Sequence, residues 1–363
     1  MNERYAGLMS GTSLDGVDAV LADFGTAPPR LVATYFLPYP PDIKDRLLAL
    51  HNVGSNELHD VALIGNELSH LYHRAVETLL KTARIDAESV SAIGCHGQTI
   101  RHNPQAGYTY QLGNPALLAE LSGISVIADF RSRDIAAGGQ GAPLLPAFHD
   151  AAFRVPNTHR VILNIGGIAN ITNLKPGLIT KGFDTGPGNM LLDAWIYRHS
   201  GQVYDAGGSW AASGHVISKL LDTLLTHPYF DQEPPKSCGR EQFNLDWVAS
   251  VLAGEESEED VQATLLALSA TSIASAIERW CGVPEELVVC GGGAHNTALL
   301  KHLAVLLPST RVLTSDLLGV GVDWVEAMGF AWLARQTLRG LPGNLPSVTG
   351  AKGARILGAL HPR

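Results

Sequence analysis

Cysteine is scarce in this chain, four residues in 363, and Cys95, Cys238, Cys281 and Cys290 lack the close spacing of metal ligands. A chain of this length does not need disulfides to stabilise its core, so all four read as reduced and structural. Long apolar runs are missing too. No segment approaches the roughly 18 uninterrupted apolar residues of a spanning helix, and the opening MNERYAGLMSG lacks the apolar core of a signal peptide. The expectation is a cytoplasmic protein with no membrane partner. Positive charge is short as well: 26 Lys and Arg against 35 Asp and Glu give a net charge of -9, with no long run of one sign. That argues against nucleic acid and anionic surfaces as partners. Two familiar nucleotide signatures are also absent, since neither G-x-x-x-x-G-K-[ST] nor the G-x-G-x-x-G spacing occurs at the glycine clusters.

Glycine, by contrast, is abundant, 38 residues against a usual share of about 7%, and it gathers where strands should end. The length exceeds what one core usually serves, so two domains are expected. Three short apolar runs open the chain, Tyr5 to Met9, Val17 to Phe24 and Leu31 to Tyr39, followed by the helical spacing of PDIKDRLLALHN. A helix over 56–84, a strand over 90–95, the short helix PALLAELSG and a strand over 124–130 follow. From His159 the order begins again as RVILNIGG, ANITNL, LITKGFD and a helix over 189–199. The pattern predicts one β-β-β-α unit used twice. Helices over 211–226 and 261–280, a strand at 287–290, the helix TALLKHLAVLL and a buried last helix over 324–338 complete the reading. Gly138 to Pro146 is the expected joint.

Three glycine turns and one carboxylate carry the chemistry. Backbone N–H groups at a glycine turn approach an anion that a Cβ would fend off, and hydroxyls add donors. Ser10-Gly11-Thr12-Ser13-Leu14-Asp15-Gly16 has this composition, with Asp15 suited to a metal, a water or the turn itself; Gly, Ser and Asp also build ordinary loops. Gly166 and Gly167 take the equivalent place in the second half. Gly291, Gly292 and Gly293 precede a helix N-terminus, which favours anions, although close strand-helix packing explains glycine there equally. Asp184, in GFDTGPGN, is either a turn or helix-entry residue or a general base. Anion cradling, a divalent metal and one positioned base are what phosphoryl transfer asks for. His96, Gln98, Arg101 and His102 after one strand form a candidate sugar-contacting rim. Arg131 and Arg133 either meet a substrate carboxylate or pair with Asp129 and Asp134. Glu326 sits in an apolar helix and is either paired or functional, and the acidic run 255–260 reads as a solvated helix start.

In this order SGTSLDG, GCHGQTIRH, IADFRSRDIAAGGQGAPL, LNIGGIANIT, GFDTGPGN, CGGGAHN and EAMGFAW, spread over 7–334, resemble the anhydro-N-acetylmuramic acid kinase family. The resemblance implies the actin, sugar-kinase and Hsp70 fold, two related α/β domains with ATP and substrate in a cleft between them. The implied division is 1–145, 146–325 and a terminal 326–363 packing back on the first half. The implied reaction uses ATP and water to convert 1,6-anhydro-N-acetylmuramic acid to N-acetylmuramic acid 6-phosphate in cell-wall recycling, with Mg²⁺ and a homodimer. By the same resemblance Asp184 is the catalytic carboxylate. Gly11, Thr12, Ser13, Leu14, Asp15, Gly16, Val17 and Asp18 bind the ATP phosphates, and Gly166, Gly167, Gly291, Gly292, Gly293 and Asn296 complete the nucleotide site. His96, Gln98, Arg131 and Glu326 take the sugar, whose lactyl carboxylate gives an arginine a reason to be there; no side chain is assigned to direct metal contact. Two rivals remain: a sugar kinase acting on a free hydroxyl, and an ATP-driven interaction module, which would need polymer contacts or a peptide-binding domain.

Overall fold

The computed structural model describes residues 3–11, 13–26 and 28–363, and Thr12 of the first glycine turn lies outside the described residues. The chain forms two compact units, unit 1 from residues 1–152 and 323–363 and unit 2 from 153–322.

Unit 1 is built on β1 (Arg4–Ser10), β2 (Gly16–Asp23), β3 (Arg30–Pro38), β4 (Ala92–Asn103), β5 (Tyr108–Leu112), β6 (Val126–Ala128) and, in its returning segment, β12 (Ala359–His361). Unit 2 carries β7 (Arg160–Ile165), β8 (Ile168–Leu174), β9 (Lys181–Pro187), β10 (Glu286–Cys290) and β11 (Arg311–Thr314). The sheet orders are β12-β6-β4-β1-β2-β3, with β5 added to β4, and β11-β10-β7-β8-β9. In each unit three antiparallel strands come first and the next major strand pairs parallel to the first of them, β4 on β1 and β10 on β7. The repeated order matches the two related α/β domains that the resemblance implies.

The cores follow from alternation on the strands and helical spacing between them. In unit 1 the helix Glu57–Ala83 turns Leu68, Tyr72, Ala75 and Leu79 onto β2 and β3. On the same sheet the helix Val325–Leu338 lies so close to β1 and β4 that a Cβ on Gly7 or Gly94, which face each other in register, would strike the backbone of Ala327 or Phe330. In unit 2 the helix Glu258–Trp280 is buried through most of its length against β8, β9 and the helix Thr297–Leu306. Among the described residues it alone is long and apolar enough to cross a membrane by length and composition, and 83% of that apolar window is inside the fold. Its first turn holds the acidic residues Glu258, Glu259 and Asp260, and Ser257 caps it.

Four sequence expectations change. The strand expected over 90–95 runs over Ala92–Asn103, so His96, Gln98, Arg101 and His102 lie on it rather than after it. The helix expected over 211–226 is a single turn at Ala211–Ser213 and a separate helix Ser218–Leu225. Gly214 interrupts it, passing so near the backbone of Glu259 and Asp260 that no side chain fits. The strand expected over 124–130 is only Val126–Ala128, because Asp129 turns into the left-handed region at φ +58. The strand β5 was not expected. It extends β4 into a hairpin whose Tyr108 and Tyr110 are exposed, so no apolar run announced it.

Candidate functional site

On unit 1 the β1–β4 ladder slips where β1 ends: Leu8 faces Cys95, but Ser10 faces Gln98. Gly97 makes this possible at φ +74, a region costly for other residues. Beyond the slip, side chains take over from backbone. His96 Nδ1 donates to the Ser10 carbonyl at 3.2 Å, and Gln98 Nε2 to the Gly11 carbonyl at 3.0 Å. His96 is 5% exposed and Gln98 0%, so both brace the turn from beneath. The Ser10 hydroxyl meets Tyr39 at 2.7 Å and Tyr72 at 3.2 Å. Ser13 Oγ donates to Asp15 at 2.7 Å, and the Asp15 carbonyl accepts from the Tyr39 N–H.

The glycines separate by what a Cβ would meet. At Gly16 it would run into the Leu37 carbonyl and the Phe36 ring, so packing requires glycine. At Gly11 the nearest atom is Ser13 Oγ at 3.6 Å, ordinary contact, and the fold itself makes no such demand. Leu14 and Val17 are core residues, 2% and 0% exposed, which leaves their backbone as the part that could face a ligand. Asp18, on β2, has its carboxyl pushed up to about 8, first by burial and then by the charges of Asp15, Glu326 and Asp323. Glu326 is also raised by burial, with Arg131 pulling it back.

Arg131 follows β6. Its Nε and one terminal nitrogen donate to His96 Nε2 at 3.2 and 2.9 Å, and the other terminal nitrogen donates to the Gly141 carbonyl at 2.8 Å. Its Asp neighbours have other partners. Asp129 accepts from Ser132 at 2.5 Å, and Asp134 takes the Gly141 N–H, Asn344 and Thr349. Burial lowers the Arg131 guanidinium to about 10, against the pull of Glu326 and Asp134.

On unit 2 Asp184 sits within β9, paired with Asn170 beside a bulge. Its Oδ2 accepts the Cys238 N–H at 3.1 Å, its own N–H donates to the Lys236 carbonyl, and its carbonyl accepts the Tyr229 hydroxyl at 2.6 Å. Burial raises its carboxyl to about 7, with the Cys238 N–H and the Lys236 charge pulling the other way. The Lys236 ammonium itself donates to the Tyr229 and Phe230 carbonyls. Sequence reasoning did not find Lys236 or Cys238, since the segment EPPKSCGREQF has neither helical nor strand periodicity, nor Tyr229 in the short turn Pro228–Asp231 before it. It missed Asp323 too.

Just beyond Asp184, the N–H groups of Gly188 and Met190 donate to the Gly167 carbonyl and that of Asn189 to Gly166, which fixes the β7–β8 turn against the end of β9. A Cβ on Gly166 or Gly167 would come no nearer than 3.6 Å to its closest neighbour, and one on Gly292 would meet nothing within 4 Å. Gly291 and Gly293 differ. Gly291 is at φ +79 against Asn164 and Ile165, and Gly293 lies on the Ile165 side chain, so packing accounts for both. Asn296 caps the helix Thr297–Leu306 by accepting the Leu299 N–H at 3.0 Å. Gly11 on unit 1, and Gly166, Gly167 and Gly292 on unit 2, are thus glycines whose open side packing leaves unfilled. Among the described residues no group of three His, Cys, Asp or Glu side chains is arranged to hold a metal.

The sequence profile of the anhydro-N-acetylmuramic acid kinase family matches residues 3–363. Anhydro-N-acetylmuramic acid kinase from Thiobacillus denitrificans is 58% identical over 364 residues, covering 99% of this chain and 97% of that protein. The protein of the same name from Nitrosospira multiformis is 55% identical, covering 99% and 98%. A solved structure, the activator of 2-hydroxyisocaproyl-CoA dehydratase from Clostridium difficile with bound ADPNP, is similar at a TM-score of 0.47 and 16% identity, covering 93% of this chain and 98% of that one. The chain belongs to the anhydro-N-acetylmuramic acid kinase family and is a phosphotransferase.

Proposed function

We propose that Asp184 is the general base in this family's reaction, in which ATP and water convert 1,6-anhydro-N-acetylmuramic acid to N-acetylmuramic acid 6-phosphate during cell-wall recycling. O6 is tied to C1 in the substrate and carries no proton, so the proton to be removed belongs to water. Asp184 accepts it as the water oxygen bonds to C1 and the C1–O6 bond breaks. The O6 electron pair then forms the bond to the γ-phosphorus, and ADP leaves. The observation that carries this role is the Asp184 carboxyl held near 7, close to the working pH of a useful base. Its neighbours refine it: the Cys238 N–H orients one oxygen, and the other is the one proposed to take the proton from water.

The open glycines Gly11, Gly166, Gly167 and Gly292, with the hydroxyl residues Thr12 and Ser13, are the residues suited to the phosphates. Asp18, crowded by Asp15, Glu326 and Asp323, is the carboxylate best relieved by a cation, and it would hold the waters of Mg²⁺. When bound, the ion neutralises charge between the phosphates. Arg131 and Glu326 supply the charged end of the sugar side, Arg131 for the lactyl carboxylate. Family membership also supports a homodimer working in the cytoplasm, which light scattering and fractionation would check.

Turnover in ¹⁸O-water, quenched before anomeric exchange, tests the coupling. Label at C1 of the product is expected. Unlabelled 6-phosphate would overturn the hydrolytic step and leave a direct hydroxyl phosphorylation.

A further inference from the structure

The donors around His96 fix its tautomer. A carbonyl only accepts, so the Nδ1 atom facing Ser10 at 3.2 Å must carry a proton. A guanidinium only donates, so the Nε2 atom facing Arg131 at 2.9 and 3.2 Å must offer a lone pair. The ring is neutral, with the proton on Nδ1, and burial and Arg131 both oppose a second proton. Three of the five Arg131 N–H groups are taken by His96 and Gly141, leaving one on each terminal nitrogen among the described residues. Arg131 therefore keeps one N–H on each terminal nitrogen with which to meet a carboxylate.

We propose that His96 is a positioning residue that joins two parts of unit 1, its Nδ1–H fixing the carbonyl before the first glycine turn and its Nε2 aiming Arg131 at the carboxylate of the sugar. The inference rests on the reading of Arg131 given above. The local sequence accounts for the arrangement. Gly97 in its left-handed conformation breaks the β1–β4 ladder, which leaves the Ser10 and Gly11 carbonyls in need of donors. Gln98 takes Gly11 and, among the described residues, directs no second partner, while the imidazole has a second nitrogen on its far side. Phe330 lies against the ring, with centroids 4.7 Å apart, and holds its plane. A shift of the turn is therefore felt at Arg131 through one rigid five-membered ring.

Two substitutions divide the two nitrogens. His96→Asn keeps a donor near Nδ1 but loses the acceptor for Arg131, and His96→Gln keeps an acceptor near Nε2 but loses the donor to Ser10. Steady-state kinetics with 1,6-anhydro-N-acetylmuramic acid and with its analogue lacking the lactyl group read the result. His96→Asn should raise KM for the carboxylate-bearing sugar about tenfold, several-fold more than it raises KM for the analogue or for ATP. His96→Gln should raise KM for ATP and spare KM for the sugar. Equal losses in both variants on all substrates would mean a merely structural residue and overturn the proposal. If wild-type protein does not favour the carboxylate-bearing sugar, it is the reading of Arg131 that fails. Should both variants fail to fold, ¹⁵N NMR of wild-type imidazoles still decides: His96 must show a protonated Nδ1 and a bare Nε2 from pH 6 to 8. The opposite tautomer or a charged ring overturns the inference.

Discussion

The Cys238 N–H and Oδ2 of Asp184 lie 3.1 Å apart, so the carboxylate on the edge strand β9 receives a backbone donor from a segment more than fifty residues away in sequence. That bond favours the charged form, yet burial outweighs it and the carboxyl sits near 7. The rate should follow. As pH falls below about 7, kcat/KM should drop about tenfold per unit, because only ionised Asp184 takes the proton. A flat profile from pH 5 to 8 would remove Asp184 from the base role.

The same shift has a stability sign. The folded carboxyl titrates near 7 and the unfolded one near 3.8. Stability contributed by the protonated form is therefore complete below about pH 4 and lost as pH rises through about 7. At pH 8 Asp184→Asn should abolish phosphate transfer, retain ATP binding and raise Tm by a few degrees. Calorimetry and isothermal titration on one preparation check all three.

Lys236 lies close enough to depress the Asp184 carboxyl, and its ammonium also satisfies the Tyr229 and Phe230 carbonyls. Lys236→Met should move the acidic limb of the pH–rate profile upward and lower Tm. An unmoved limb would show that its charge does not reach Asp184.

Two kinds of glycine should respond differently. Gly166→Ala and Gly11→Ala meet no close contact, so they should leave Tm nearly unchanged and weaken ATP binding. Gly94→Ala has the Phe330 carbonyl in the way and should cost about 3 kcal/mol of stability. Urea denaturation and nucleotide titration separate the classes.

Asp18→Asn relieves a carboxylate that burial and three acidic neighbours disfavour. The variant should be more stable than wild type at pH 8 without ligands, and should need about tenfold more Mg²⁺ for half-maximal rate. An unchanged Mg²⁺ requirement would take Asp18 out of metal binding.

Much of this molecule could be read from the chain. The duplicated strand order was visible because the six strands that open the two units carry apolar runs or sharp glycine ends. The glycine turns and Asp184 stood out through composition alone. What could not be read was long-range. Lys236 and Cys238 reach Asp184 from an irregular segment, and Asp323 joins Asp18 only because the chain returns to unit 1. The polar run from His96 to His102 suggested a rim. Its alternation also carried a signal, since His96 and Gln98 flank a left-handed glycine and both turn to carbonyls of the neighbouring strand. Nor could composition tell Gly11 from Gly16, because only the neighbours decide whether a side chain has room.

The last strand of unit 1, Ala359–His361, is added antiparallel to Val126–Ala128, and the helix Val325–Leu338 fits the hollow left by Gly7 and Gly94. Unit 2 is continuous in sequence, so during synthesis all of its pieces have emerged while unit 1 still lacks a helix and an edge strand. The Gly7–Gly94 face of the unit 1 sheet is therefore covered only once the last forty or so residues have been made, so its closure comes late in synthesis.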